Sequence, residues 1–206
     1  MIGILDYGMG NLYSLSKALE RLGVGYDFVS DAADLAKFNG ILLPGVGAFT
    51  DAMRQIDQLG LREAINEYAA SGRPVLGICL GMQLLFDSSE EHAPNDGLHL
   101  LAGEAIRFRG DYKVPHMGWN QLTLQNPDHP LLKGVSDGDY VYFVHSYHIR
   151  VKDPSVLLAT ADYYQEVTAI VGSNNIFGMQ FHPEKSGETG MRLLRNFVNL
   201  CKEEGR

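Results

Sequence analysis

The chain has 206 residues, enough to bury a full core in what reads as one domain. Hydrophobic residues make up 45% and charged residues 20%, the balance of an ordinary globular chain. A net charge of −8 argues against nucleic-acid or anionic-membrane binding, which want a basic face, but leaves phosphorylated substrates open.

In chain order, the start "MIGILDYGMGN" has no basic region before its short apolar run, so it does not read as a secretory signal. "IGIL" (2–5) reads as a strand, and "NLYSLSKALERLG" (11–23) places Leu12, Leu15, Leu19 and Leu22 on one helical stripe that Gly23 ends. "GYDFVS" (25–30) is a second strand, Asp31 caps a brief turn, and "GILLPG" (40–45) is a third strand. Helical patterns in "AFTDAMRQI" and "LREAINEYAASG" lead to Pro74 and the strand "PVLGI", followed by a helix in "LGMQLLF". Strands separated by helices, with nearly continuous apolar runs, predict a parallel sheet covered on both faces.

The second half changes character. "AGEAIRF", "GWNQLTL", "YVYFVHSYHIRV", "SVLLAT", "TAIVG" and "NIFGMQF" are strand-like, and "GETGMRLLRNFVNLCKEE" (187–204) is a closing helix. The expected fold is an α/β three-layer sandwich. It has a mostly parallel central sheet, helices on both faces and a smaller antiparallel strand region in the second half. No apolar run reaches the roughly eighteen residues of a membrane span. Two cysteines suggest no disulfide framework, and a reducing cytoplasm is the expected home. Cys201 falls in helical step with Met191, Leu194 and Val198 and reads as core.

Cys79, in "GICLG", is the position that asks for an explanation. An unpaired cysteine is commonly a small buried hydrophobe. Here, however, it lies between Gly77 and Gly81 where an apolar strand meets a helix. Ligands of open parallel sheets bind beyond the C-terminal strand ends. A nucleophile on a tight strand-to-helix turn needs small neighbours, and the helix start offers free N–H groups and a partial positive charge that favour a thiolate. Such a thiol needs a base, and the base needs an orienting group. His182, at the end of the apolar "GMQF", is followed by Pro183, which biases it towards extended backbone. Residues two apart then project to one side, so Glu184 lies beside the imidazole. The alternative is a surface His-Pro-Glu loop with a solvated glutamate. Oxyanion donors are available from the Leu80 amide and from "PGVGAF" (44–49), where glycines flanking Val46 let a peptide unit turn inward; the same stretch also suits an ordinary glycine-rich loop.

"PGVGAF", "GICLGMQLLF" and "GMQFHPEKS", in this order, resemble the triad class of glutamine amidotransferases, the type I glutaminase domain. "DYGMGNL", "PHMGWN", "YFVHSYH" and "HPEKSG" resemble, more narrowly, the glutaminase subunits of imidazole glycerol phosphate synthases of histidine biosynthesis. The resemblance spans nearly the whole chain. It implies that Cys79 attacks the side-chain amide of glutamine, that ammonia leaves with a proton supplied through His182, and that water hydrolyses the resulting thioester. Glu184 would orient His182, and Val46 and Leu80 would be the oxyanion donors, the Val46 peptide first rearranging. Gly47, Gln83 and the backbone around His145, Ser146 and Tyr147 would hold glutamine. Asn11, Trp119, Tyr142 and Lys185 would face a partner, a (β/α)₈ cyclase subunit forming a heterodimer with this chain and receiving ammonia through a tunnel. An ordinary strand tyrosine and a solvated lysine are the plainer readings of Tyr142 and Lys185. No cofactor is implied.

"GMGN" lacks the third glycine of a dinucleotide fingerprint and reads as a tight turn. His145 and His148 would lie on opposite faces of one strand, and there is no His-Glu-x-x-His helix, so no metal site is expected. Gly118 and Asn120 beside Trp119 suggest a turn at an edge. Three other functions remain open. One is a glutaminase subunit feeding anthranilate, aminodeoxychorismate or pyridoxal phosphate synthesis. The second is a regulatory module without turnover. The third is a cysteine peptidase or stand-alone amidase.

Overall fold

A computed structural model describes residues 1–92 and 95–203. Its first half alternates β1 (Ile2–Leu5), α1 (Leu12–Arg21), β2 (Tyr26–Val29), β3 (Gly40–Leu43), α2 (Phe49–Gln58), α3 (Leu61–Ala70), β4 (Val75–Ile78) and α4 (Leu80–Leu84). Asn11 caps α1, its side chain accepting from the Ser14 N–H at 3.3 Å, and Asp31 caps the turn Ala32–Lys37. The second half is mostly strand. It comprises β5 (Ser88–Ser89), β6 (Asn95–Asp96), β7 (Gly103–Arg107), β8 (His116–Gln121), β9 (Thr123–Leu124), β10 (Tyr140–His145) and β11 (Tyr147–Val151). Then follow β12 (Leu157–Asp162), β13 (Glu166–Ser173), β14 (Ile176–Met179) and α5 (Gly187–Glu203). Residue 204, the last of the expected closing helix, lies outside the described residues.

Eight strands form one sheet in the order β2-β1-β3-β4-β14-β13-β12-β9. β2, β1, β3, β4 and β14 run parallel, and β13, β12 and β9 continue it antiparallel. Alternation along the strands divides the core between two faces. Ile2, Ile4 and Leu42 pack with Leu15 and Leu19 of α1 and with Leu194, Phe197 and Cys201 of α5. Leu5, Ile41 and Leu43 face Phe49, Ile56 and Ile65 of α2 and α3. The three-layer α/β sandwich is therefore present, with a mostly parallel sheet, helices on both faces and an antiparallel region in the second half. No helix among the described residues is long and apolar enough to cross a membrane.

Four local expectations need correction. "YVYFVHSYHIRV" is two strands: β10 pairs with β8 in a two-stranded ribbon, while β11 pairs with β7 in a separate four-stranded sheet. "GWNQLTL" is likewise divided between β8 in the ribbon and β9 in the main sheet. In both, strand propensity is continuous and long-range pairing decides where the chain changes sheet. Trp119 is not at a turn; it is mid-strand in β8, paired with Tyr142 and exposed at the ribbon surface. The helix after Cys79 ends at Leu84, so "LGMQLLF" is little more than one turn of α-helix.

The glycines around the elbow let three backbones meet. A Cβ on Gly81 would overlap the Leu43 carbonyl oxygen, and one on Gly77 would strike the Gly81 carbonyl. Replacing Gly81 by Ala should destabilise the fold by about 3 kcal/mol or more, lowering the melting temperature by roughly 6–12 °C. Gly25→Ala, with open space around its added carbon, should melt within about 2 °C of the parent. Calorimetry of the two variants checks the contrast.

Candidate active site

β4 and β14 are neighbours in parallel register, Ile78 opposite Met179, so the chain leaves both strands at one end of the sheet. Cys79 follows β4 and donates its backbone N–H to the Met179 carbonyl at 2.8 Å. Its φ of 56° and ψ of −114° place it in a strained conformation that side-chain-bearing residues rarely adopt. His182 lies three residues beyond β14, anchored by its N–H to the Tyr142 carbonyl at 3.0 Å. Its Nδ1 meets Glu184 Oε1 at 2.8 Å, and both side chains are nearly inaccessible, at 5% and 3%. The Cys79 sulfur lies within hydrogen-bonding distance of the Val144 carbonyl, at 3.9 Å, and acts electrostatically on the His182 ring. Burial alone would push the His182 ring down, but hydrogen bonds and charge from Cys79 and Glu184 outweigh it and hold the ring up at about 10. Glu184 Oε2 is buried without a partner, so the carboxylate is committed to the imidazole through its other oxygen.

Cys79 and His182 border a cavity of about 530 Å³. Val46, Gly47, Cys79, Leu80, Gln83, His145, Ser146, Tyr147, His182 and Lys185 all line it, so the residues expected from four separate stretches of sequence converge. Glu184 stands behind His182, outside the wall. Tyr7 donates its hydroxyl to the Pro44 carbonyl at 2.6 Å, and Gly45 packs against Leu80 and the Gly81 N–H. That packing holds the Val46 loop beside the elbow, with Val46 exposed and Gly47 at φ 97°. The other three expected residues, Asn11, Trp119 and Tyr142, belong to elements around the turn that carries Lys185. α1, capped by Asn11, and β10, carrying Tyr142, both contact the turn Pro183–Lys185. Trp119 meets Tyr142 edge-on with ring centroids 6.0 Å apart.

The cavity also has wall residues that the sequence reading missed. Glu91 and Arg107 line it. The Glu91 carboxylate accepts from the Phe49 N–H at the start of α2 at 2.9 Å. No motif marks either residue, because they reach the cavity only when β5 and β7 fold against the main sheet. His145 and His148 do not lie on opposite faces of one strand. The break at Ser146 turns both rings onto Phe108, with centroids 5.2 and 4.6 Å away. Among the described residues, no group of three or more His, Cys, Asp or Glu could hold a metal ion.

Behind the cavity wall a hydrogen-bonded chain joins the ribbon to the residue after Ser146. His145 Nδ1 meets the Tyr147 carbonyl at 2.7 Å, and His145 Nε2 meets His116 Nδ1 at 2.9 Å. The carbonyl only accepts, so His145 Nδ1 carries a proton, and with a neutral ring its Nε2 accepts from His116. His116 Nε2 then accepts from Asn120 Nδ2 at 3.2 Å. Burial pushes His145 down to about 3 and His116 down to about 4. Both rings are near 6.5 in an unfolded chain, so the unfolded state binds more protons below that pH. Stability should therefore fall as pH drops from about 6.5 towards 4. His116→Phe, which preserves the ring stacked on Phe143 and Tyr163, should flatten that slope in melting curves taken from pH 7 to 4.5.

The model of the glutamine amidotransferase class-I family matches residues 3–201. The imidazole glycerol phosphate synthase subunit HisH of Halalkalibacterium halodurans is 55% identical, over 98% of this chain and 97% of that protein. The HisH subunit of Geobacillus kaustophilus is 53% identical, over 100% and 99%. A solved structure of a glutamine amidotransferase superposes with a TM-score of 0.78 at 20% identity, covering 98% of each chain, a likeness of fold. The elbow cysteine, the buried His-Glu pair and the sheet that joins them thus sit in a chain that belongs to the class-I glutamine amidotransferases and, within them, to the family of HisH subunits of imidazole glycerol phosphate synthase.

Proposed function

We propose that this chain is one glutaminase domain in which Cys79, His182 and Glu184 hydrolyse glutamine and deliver ammonia to a cyclase subunit. The observation that carries the reading is the His182–Glu184 contact at 2.8 Å, with Cys79 and His182 lining one cavity. Glu184 fixes the tautomer, so the nitrogen facing sulfur exchanges the proton. The sulfur attacks the carboxamide carbon, and charge builds on the amide oxygen towards the N–H groups of Leu80 and Val46. As the C–N bond breaks, His182 gives its proton to the departing nitrogen and ammonia leaves a γ-glutamyl thioester on Cys79. Water then attacks the thioester, His182 takes its proton and returns it to sulfur, and glutamate departs. Glu91 and Arg107 place one negative and one positive side chain on the wall, a pair suited to an amino acid's ammonium and carboxylate.

Ammonia released into neutral water becomes ammonium and loses its nucleophilic lone pair, so its value depends on a consumer docked at the cavity's edge. Asn11, Trp119, Tyr142 and Lys185 form that edge in this reading. The partner is the (β/α)₈ cyclase subunit of imidazole glycerol phosphate synthase, in a cytoplasmic heterodimer. The cyclase closes the imidazole ring with the ammonia, yielding imidazole glycerol phosphate and aminoimidazole carboxamide ribonucleotide, and the glutaminase half requires no cofactor.

Cys79→Ala should lower glutamine-dependent synthesis by the complex by more than about 10⁴-fold while leaving synthesis from added ammonium salts intact. Loss of both activities would reject the division of labour. The imidazolium persists to about pH 10, so hydrolysis by the parent complex should keep its alkaline limb near that pH. Glu184→Gln removes one anion that raises the ring and should move the limb towards neutrality; an unmoved pH–rate profile would count against the triad.

A further inference from the structure

Gln180 takes no part in the chemistry above, yet it is a fully buried amide behind the cavity wall. It follows β14, two residues before His182, and its Oε1 accepts from Gln83 Nε2 at 3.1 Å. Gln83 donates its other Nε2 hydrogen to the Tyr147 carbonyl at 3.0 Å. A backbone carbonyl only accepts, so the Gln83 amide has one orientation available, nitrogen towards Tyr147. The same carbonyl is held from behind by His145 Nδ1 at 2.7 Å. With both hydrogens committed, Gln83 Oε1 is the amide atom left to the cavity that Gln83 lines, and it is not among the buried atoms lacking a partner.

The arrangement is unfavourable for Gln180 itself. Turning its oxygen to Gln83 leaves its own Nε2 buried with no acceptor, and an orphaned donor costs more than one ordinary hydrogen bond returns. A methionine of similar length would avoid that cost. Buried unpaired groups of this kind concentrate where function requires them.

We infer that Gln180 is a positioning residue that sets substrate specificity, holding the Gln83 amide so that its carbonyl oxygen faces the cavity as a fixed acceptor for the α-ammonium of glutamine. The ammonium is the matching donor because, away from the reacting amide, it alone of glutamine's polar groups can donate, and Gln83 lines the same cavity about one helical turn, roughly 6 Å, from Cys79. Glutaramate, which is glutamine without the amine, lacks that donor and leaves the acceptor unpaired. The inference rests on the cavity being a glutamine site.

The test compares parent, Gln180→Met and Gln180→Leu in the complex with the cyclase, using glutamine and glutaramate as substrates. In Gln180→Met the KM for glutamine should rise about five-fold or more, with kcat within about two-fold and no fall in melting temperature. The preference for glutamine over glutaramate should shrink by the same factor, because only glutamine uses the fixed acceptor. Gln180→Leu gives the same ratio through a different shape, so misfolding of one variant still leaves the measurement readable. Gln180→Glu, whose buried neutral carboxyl retains an oxygen towards Gln83, should restore the glutamine KM. An unchanged KM, or equal losses on both substrates, would overturn the inference. A parent complex that does not hydrolyse glutamine would instead refute the glutaminase reading beneath it.

Discussion

The parallel pairing of β4 with β14 is the contact on which the rest of the molecule depends. It aligns Ile78 with Met179 and brings two distant parts of the chain to the same rim of the sheet. Cys79 and His182 leave the sheet there. The pairing needs bare backbone at its centre, because α4 lies directly on it. Gly77 is opposite Gly178, and a side chain on Gly178 would collide with Met82 of the short helix. Loss of that close approach would lift the helix and carry the sulfur away from the imidazole.

Unfavourable local terms gather around this rim. Cys79 adopts a positive φ, Glu184 Oε2 has no partner, and Gln180 Nε2 has none either. Among the described residues Asn66 Oδ1 and His148 Nδ1 are also buried without a partner, but other interior polar groups are paired. Asn196 donates to two carbonyls, Asn175 does the same, and Tyr68 reaches the Phe38 carbonyl. Two apolar cores, one on each face of the sheet, hold the strained rim in place. Packing supplies the stability that allows side chains at the rim to be arranged for chemistry and not for their own comfort.

The ribbon of β8 and β10 connects the outer edge of this site to its inner wall. Its outward face carries Trp119 and Tyr142, and its inward face carries His116 and His145 in a hydrogen-bonded chain that ends on the Tyr147 carbonyl. The same carbonyl receives Gln83. The hydrogen-bonded chain runs unbroken from Asn120 through His116 and His145 to the Tyr147 carbonyl and Gln83. The rings are also clamped by aromatic neighbours: His116 stacks on Phe143 and Tyr163, and His148 on Phe108.

By itself the sequence determined whatever depends on neighbours a few positions apart. The glycines at 77 and 81 announced a tight turn around Cys79, the His-x-Glu spacing announced a paired imidazole, and the helical stripe of Leu12, Leu15 and Leu19 announced a covered sheet. Family resemblance extended this to Gly47, Gln83 and the stretch 145–147, which reach one cavity together with Val46. Only the tertiary structure decided that "YVYFVHSYHIRV" divides at Ser146, since either half is good strand and the pairing partners lie elsewhere in the chain. It alone brought Glu91 and Arg107 to the wall and turned the Gln180 amide against Gln83. Local spacing encodes turns, strands and helices through short-range sterics, whereas which side chains meet across a cavity is set by strand order and register, quantities that a single sequence carries only in sum.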